Sequence, residues 1–140
     1  MATIQTEITL INLLDNGFAK KGFIKPEEIR METVQAEADT GSSYLVITEE
    51  LRQKLGLKIK EIRIAQITDG RYMMCRITEG VELRWKNRET IVQAIIIPDS
   101  KKIILGAIPM ETLDLMVNPA TREVTGAHGD MVEISALRVA

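Results

Sequence analysis

The sequence predicts a mostly β protein, a small closed or semi-closed barrel with two short helices. Three observations carry this. Apolar residues alternate with polar ones over several runs of five to ten residues, which is the period of a half-buried strand. Turn dipeptides, Asn16-Gly17 and Asp69-Gly70 among them, punctuate those runs. Only two stretches carry helix signals with a start and a stop. The chain of 140 residues is long enough for one domain with its own hydrophobic core. We take residues 1–140 as that domain, with a core from about residue 3 to 119 and an extension or terminal strand over 120–140.

In order, "TIQTEITLIN" alternates, with Ile4, Ile8 and Leu10 on one face and Thr6 as an interruption. Residues 13–30 read as one long loop or hairpin around Asn16-Gly17. "METVQAEA" is a second strand that runs into Asp39, and "YLVI" is a short apolar strand just beyond Asp39-Thr40-Gly41. "TEELRQKLGL" is the first helix: Thr48 suits the N-cap, Glu49 and Glu50 the first turn, and Gly56 the stop. "EIRIAQITDGRYMMCRIT" reads as a hairpin with a tight two-residue turn at Asp69-Gly70, both with positive φ. "VELRW" and "ETIVQAIII" pair across a turn at Lys86-Asn87. "IIL", Gly106 and a helix with Pro109 in its first turn follow, and "MVEISALRV" reads as a terminal strand. The order strand, strand, short apolar strand, helix occurs twice, as a weak internal repeat.

Composition removes several chemistries. Hydrophobic residues make up 45% and charged residues 27% of the chain, the balance of a folded globular protein rather than a disordered one. Net charge is −2 with no basic block, which argues against nucleic acid or an anionic membrane as partner. No apolar run is long enough to span a bilayer. The N-terminus lacks a leader pattern and Cys75 is the sole cysteine, so a cytoplasmic, reducing location is expected. One Cys and one His, His128, cannot build a Cys/His zinc site, so no metal and no cofactor is expected. His128 sits between Gly126 and Gly129 and reads as a turn; a triad with Ser42 or Ser43 would need it brought across the chain. Cys75 reads as a small buried hydrophobe. Trp85 and Tyr72 could line a cleft, although strand aromatics usually pack.

Asp39-Thr40-Gly41 has two readings. All three residues suit a turn, yet a carboxylate at the end of a buried strand also suits catalysis. The flanking order favours the second. "ADTGSS" entering "YLVI", the helix "TEELRQKLGL", the hairpin "IAQITDGRYMM" and "IILGAIPMETLDLMVNP" together resemble the retropepsin-like aspartic proteases, single-domain relatives of retroviral protease. The resemblance extends from about residue 3 to 119. It departs from the commonest pattern at Ala38, where a larger aliphatic residue usually stands, and at Glu37.

The resemblance implies an acid-protease barrel and an aspartic endopeptidase acting on protein or peptide substrates. Asp39 would be the catalytic residue. Thr40, Gly41 and Ser42 would support its loop, Asp69, Gly70 and Arg71 would form the tip of a flap, and Leu105 and Gly106 would back the site. Such enzymes activate water between two carboxylates that share one proton, with no metal and no covalent intermediate. The chain has one Asp-Thr-Gly, so the resemblance implies a homodimer with the site on its two-fold axis. The competing class is a catalytically inactive barrel of the same type that binds proteins or peptides as a dimer.

Overall fold

A computed structural model describes residues 3–67 and 69–129 of the chain. Its strands are β1 (Gln5–Asn12), β2 (Met31–Ala38), β3 (Leu45–Val46), β4 (Ile59–Gln66), β5 (Tyr72–Trp85), β6 (Arg88–Ile96), β7 (Ile104–Leu105), β8 (Leu115–Asn118) and β9 (Glu123–Gly126). The helices are α1 (Leu13–Lys20), α2 (Glu49–Leu55) and α3 (Ala107–Thr112), with a 3-10 turn at Pro26–Glu28. Seven strands form one sheet in the order β1-β2-β7-β3-β6-β5-β4. β1 also pairs with β5, so the sheet closes into a ring and leaves β4 outside it as an edge. The mostly β, closed arrangement expected from the sequence is therefore present. β8 and β9 make a separate hairpin.

The alternation fixes which side of each strand faces in. Ile8 and Leu10 of β1, Leu45 of β3, Leu83 of β5 and Leu105 of β7 are fully buried, joined by Ile47 and by Leu55 from α2. Burying each such side chain stabilises by about 1.5–3 kcal/mol. Thr6, the interruption in β1, is polar for a reason: the buried Trp85 indole Nε1–H donates to its Oγ1 at 2.8 Å. Trp85 is thus a packing residue, with Lys86 Nζ stacked 4.7 Å from its ring centroid.

The repeat seen in the sequence appears in the pairing. β2 runs parallel to β7 (Ala38 opposite Leu105), β3 runs parallel to β6 (Leu45 opposite Ala94), and β3 and β7 lie antiparallel between them. Exchanging β2 with β6 and β3 with β7 maps this pattern onto itself. A helix follows each central strand, α2 after β3 and α3 after β7.

Three local expectations need correction. Residues 13–20 are a helix rather than loop. Asn12 caps α1 by accepting from the Asp15 N–H at 2.9 Å, and its Nδ2 donates to Leu55 O. Asp15 is buried and takes a two-bond fork from Arg30, at 2.8 and 3.0 Å. The Arg30 guanidinium holds the Asp15 carboxyl below its usual range. These ties outweigh the cost of about 1 kcal/mol for Gly17 inside a helix. The Asn12-to-Asp15 spacing was the available signal. Second, "YMMCRIT" and "VELRW" are one strand, β5, broken only by a bulge between Ile77 and Gly80. Third, the β4–β5 tip is not a two-residue turn. Ile67 N–H donates to Arg71 O and Gly70 N–H to Ile67 O, and Gly70 has φ +87°. One glycine at positive φ is what a longer bulged tip needs. The expected "MVEISALRV" strand lies outside the described residues.

α2 confirms the capping signals. Thr48 Oγ1 accepts from Leu51 N–H at 3.1 Å and Gly56 ends the helix at φ +65°. Its Glu49 receives Arg52 at 2.7 and 2.6 Å, Gln53 at 2.9 Å and Arg76 of β5 at 2.7 Å. Arg52 chiefly, then Gln53 and Arg76, hold the Glu49 carboxyl down at about 2 from its usual 4.5, against burial. A folded-state value below the unfolded one contributes stability above about pH 4.5 that is lost as pH falls towards 2. The side chain is 35% exposed, so solvent screens part of the effect. Glu49→Gln is expected to lower Tm at pH 6, and the gap to wild type should close between pH 4.5 and 2. Thermal melts of both proteins across that window check it; a gap independent of pH would refute the charge as its source.

Candidate active site

Asp39 stands one residue past the end of β2, and its own backbone continues the pairing: its N–H donates to Leu105 O at 3.0 Å. The loop then turns on itself, with Ser42 N–H donating to Asp39 O at 3.1 Å. Both carboxylate oxygens are held. Gly41 N–H donates to Oδ1 at 2.8 Å and Ser42 Oγ to Oδ2 at 3.2 Å. The carboxylate is half-buried, while Thr40 and Gly41 beside it are exposed. A Cβ on Gly41 would come within 3.2 Å of Asp39 Oδ1, so a side chain there would press on the carboxylate itself.

A second feature clamps this loop. α3 starts at Gly106 with no side-chain cap, which leaves its first N–H groups in need of acceptors. The Asp39 loop supplies them: Gly106 N–H donates to Tyr44 O at 3.1 Å, Ala107 N–H to Ser42 O at 2.7 Å and Ile108 N–H to Ser43 O at 3.0 Å. Gly106 must be glycine for space. A Cβ there would lie 2.5 Å from Tyr44 O, 2.6 Å from Tyr44 N and 2.7 Å from Ser43 C, all backbone atoms. Leu105 just before it is fully buried. Ala38 and Glu37 pair with Leu105 and Ile104, and the small Ala38 is buried against that short strand. Glu37 keeps its side chain largely covered, 3.9 Å from Lys102 Nζ.

The structure thus gathers Asp39, Thr40, Gly41, Ser42, Leu105 and Gly106 into one knot of backbone bonds. Asp69, Gly70 and Arg71 form a separate cluster at the hairpin tip, where Arg71 N–H and Nε donate to the Asp69 carboxylate at 3.0 and 2.7 Å. These bonds hold the Asp69 carboxyl below its usual range. His128 Nδ1 lies 2.9 Å from Asp114 Oδ2, and Ser42 Oγ is engaged with Asp39, so no serine–histidine pair forms from Ser42. Cys75 is buried, and burial pushes its thiol up. Sequence reading overlooked Tyr44, Ala107 and Ile108 and weighed Ser43 only for its hydroxyl, whereas all four act through their main chain. The missing cap at the start of α3 was the one legible sign that another segment had to satisfy it. Among the described residues, no helix is long and apolar enough to cross a membrane.

Comparison with known proteins places the fold. The profile of a family described as aspartyl protease matches residues 27–108, more than half of the chain and including both Asp39 and Gly106. A search of curated proteins gives no match. Among solved structures, EIAV protease complexed with the inhibitor HBY-793 superposes with a TM-score of 0.50 at 21% identity, over 80% of this chain and 88% of that one. The retroviral protease-like domain of Ddi1 from Leishmania major gives a TM-score of 0.54 at 13% identity, over 89% of this chain and 88% of the other. At such identities the likeness establishes the fold alone. Taken with the profile match, it places the chain in the aspartyl protease family, with a retropepsin-like fold.

Proposed function

We propose that the protein is an aspartic endopeptidase whose site forms when two copies bring their Asp39 loops together on a two-fold axis. The observation that carries this is the held carboxylate: Asp39, at a strand end, with a donor on each oxygen and a loop fixed by α3. Peptide hydrolysis by this route needs two carboxylates and one water. One carboxylate takes the water proton as the oxygen attacks the peptide carbon. The other, protonated, donates to the carbonyl oxygen, and the amine leaves with a proton as the bond breaks. Each chain supplies one Asp-Thr-Gly, so the second carboxylate comes from the second copy. Thr40, exposed beside Asp39, is placed to bond across the axis, and Gly41 lets the two loops approach. The β4–β5 hairpin serves as the flap, with Gly70 as its pliable point, closing over an extended protein or peptide substrate.

The test exploits the shared site. A fixed amount of wild type is mixed and re-equilibrated with a ninefold excess of Asp39→Asn protein, and cleavage of a denatured protein substrate is followed. Random pairing leaves about one tenth of the original wild-type homodimers, so activity should fall to about one tenth. Undiminished activity would mean that each chain works alone, and the shared dyad would be wrong.

A further inference from the structure

β4 carries a surface that neither the ring of strands nor the Asp39 loop uses. It ends the sheet order and, among the described residues, pairs with β5 alone, so its other side presents unpaired main-chain groups. A strand of eight residues with an open edge is a template for another strand. Two of its large apolar side chains, Ile62 and Ile64, are 56% and 73% exposed on one face. They lie beside Met74 and Tyr72, which β5 places on the same face opposite Ile64 and Gln66, and these too are mostly exposed. Single exposed apolar residues need no explanation, whereas four together on one ribbon point to a contact surface.

The order of residues on that edge says what fits it. Around Ile62 the strand reads Lys60-Glu61-Ile62-Arg63-Ile64. If a second copy pairs antiparallel with Ile62 opposite Ile62, Glu61 falls opposite Arg63 and Arg63 opposite Glu61, once on each side of the axis. Lys60 then lies opposite Ile64, alongside its methylene stem. Directly opposite residues of an antiparallel pair point to the same face, so the Ile62–Ile62 pair, flanked on each side by Ile64 against the Lys60 stem, forms one strip and the four charges of Glu61 and Arg63 line the other face. Within one chain Arg63 Nη2 already lies 3.1 Å from Glu61 Oε1, with the Arg63 side chain 66% exposed, so the charges are close enough to form a four-membered alternating cluster. The opposite signs of Glu61 and Arg63 on either side of Ile62 make the edge complementary to a second copy of itself.

We infer that the β4 edge is a self-complementary docking surface at which two copies of this chain pair antiparallel about Ile62. The contact is isologous and independent of the Asp39 axis, so it adds to whatever assembly that axis makes. One pair of short strands buries little area, which makes the association weak and dependent on protein concentration.

Sedimentation equilibrium over a range of concentrations tests this with three variants. Arg63→Glu puts Glu opposite Glu twice and should halve the limiting mass. Glu61→Arg with Arg63→Glu restores opposite charges on both sides and should restore the wild-type mass. Ile62→Lys leaves the Glu61–Arg63 pair intact, sets two ammonium groups against each other on the axis and should also halve it. The starting mass separates this inference from the dyad. A wild-type tetramer falling to a dimer fits both, and a wild-type dimer falling to a folded monomer fits the β4 contact without the Asp39 axis. Equal masses for wild type and Arg63→Glu would overturn the inference, as would a charge-swapped double variant that stays at half mass.

Discussion

Asp39→Asn is expected to abolish peptide hydrolysis, by about 10³-fold or more, while leaving the fold and the assembly intact. An amide cannot take a proton from water, and loss of a general acid–base partner costs about 10²–10⁴-fold. A 10³-fold loss corresponds to about 4 kcal/mol of transition-state stabilisation. The fold should not notice, because Asn has the same shape. Its Oδ1 can still accept from Gly41 N–H, and Ser42 Oγ, now facing an amide, can rotate to accept where it donated before. Among the described residues the half-buried carboxylate is held by hydrogen bonds from Gly41 and Ser42 that an amide can keep. Unchanged melting and sedimentation beside lost cleavage would therefore assign the chemistry to the carboxylate. Equal cleavage by both proteins would remove Asp39 from the chemistry. An inactive wild type whose peptide binding survives the substitution would identify a binding module built on the same fold.

Much of this site was legible because it rests on residue types with few alternatives. Asp39-Thr40-Gly41 after an alternating strand, Thr48 before Glu49 and Glu50, and Gly106 between "IIL" and Pro109 each mark a backbone event, and the structure has one at each place. The closed sheet followed from strands whose apolar faces had to meet. What stayed hidden depends on contacts between distant residues. α1 exists because Asn12 caps it and Arg30, fifteen residues after Asp15, secures it, and local propensity at Asn16-Gly17 pointed the other way. The β4–β5 tip was misread for a related reason. Asp-Gly favours a two-residue turn, but pairing of Ile67 with Arg71 sets a wider tip in which Gly70 takes positive φ. The clamp on the Asp39 loop is made wholly of main-chain groups, which side-chain identity does not reveal.

That clamp yields the second large effect. Gly106→Ala is expected to destabilise the protein by about 3 kcal/mol or more and to remove activity even where the variant is folded. Gly106 has φ −86° and ψ −179°, extended backbone that alanine adopts freely, so conformational preference is not the cause. Space is the cause. The new methyl would sit 2.5–2.7 Å from three backbone atoms of Ser43 and Tyr44, and backbone cannot swing aside as a side chain can. Overpacking of this kind costs about 1–3 kcal/mol. Relieving it means parting α3 from the loop, which strains three N–H bonds worth about 0.5–1.5 kcal/mol each. For a domain of this size the sum should lower Tm by about 10 °C. The displaced segment begins one residue after Ser42, whose hydroxyl holds Asp39 Oδ2, so the carboxylate loses its setting with the loop. Cleavage assayed well below the variant's Tm separates the two effects. Wild-type turnover there would mean that the loop holds Asp39 without α3, and an unshifted Tm would mean that the short approach of Gly106 to Tyr44 is not a constraint at all.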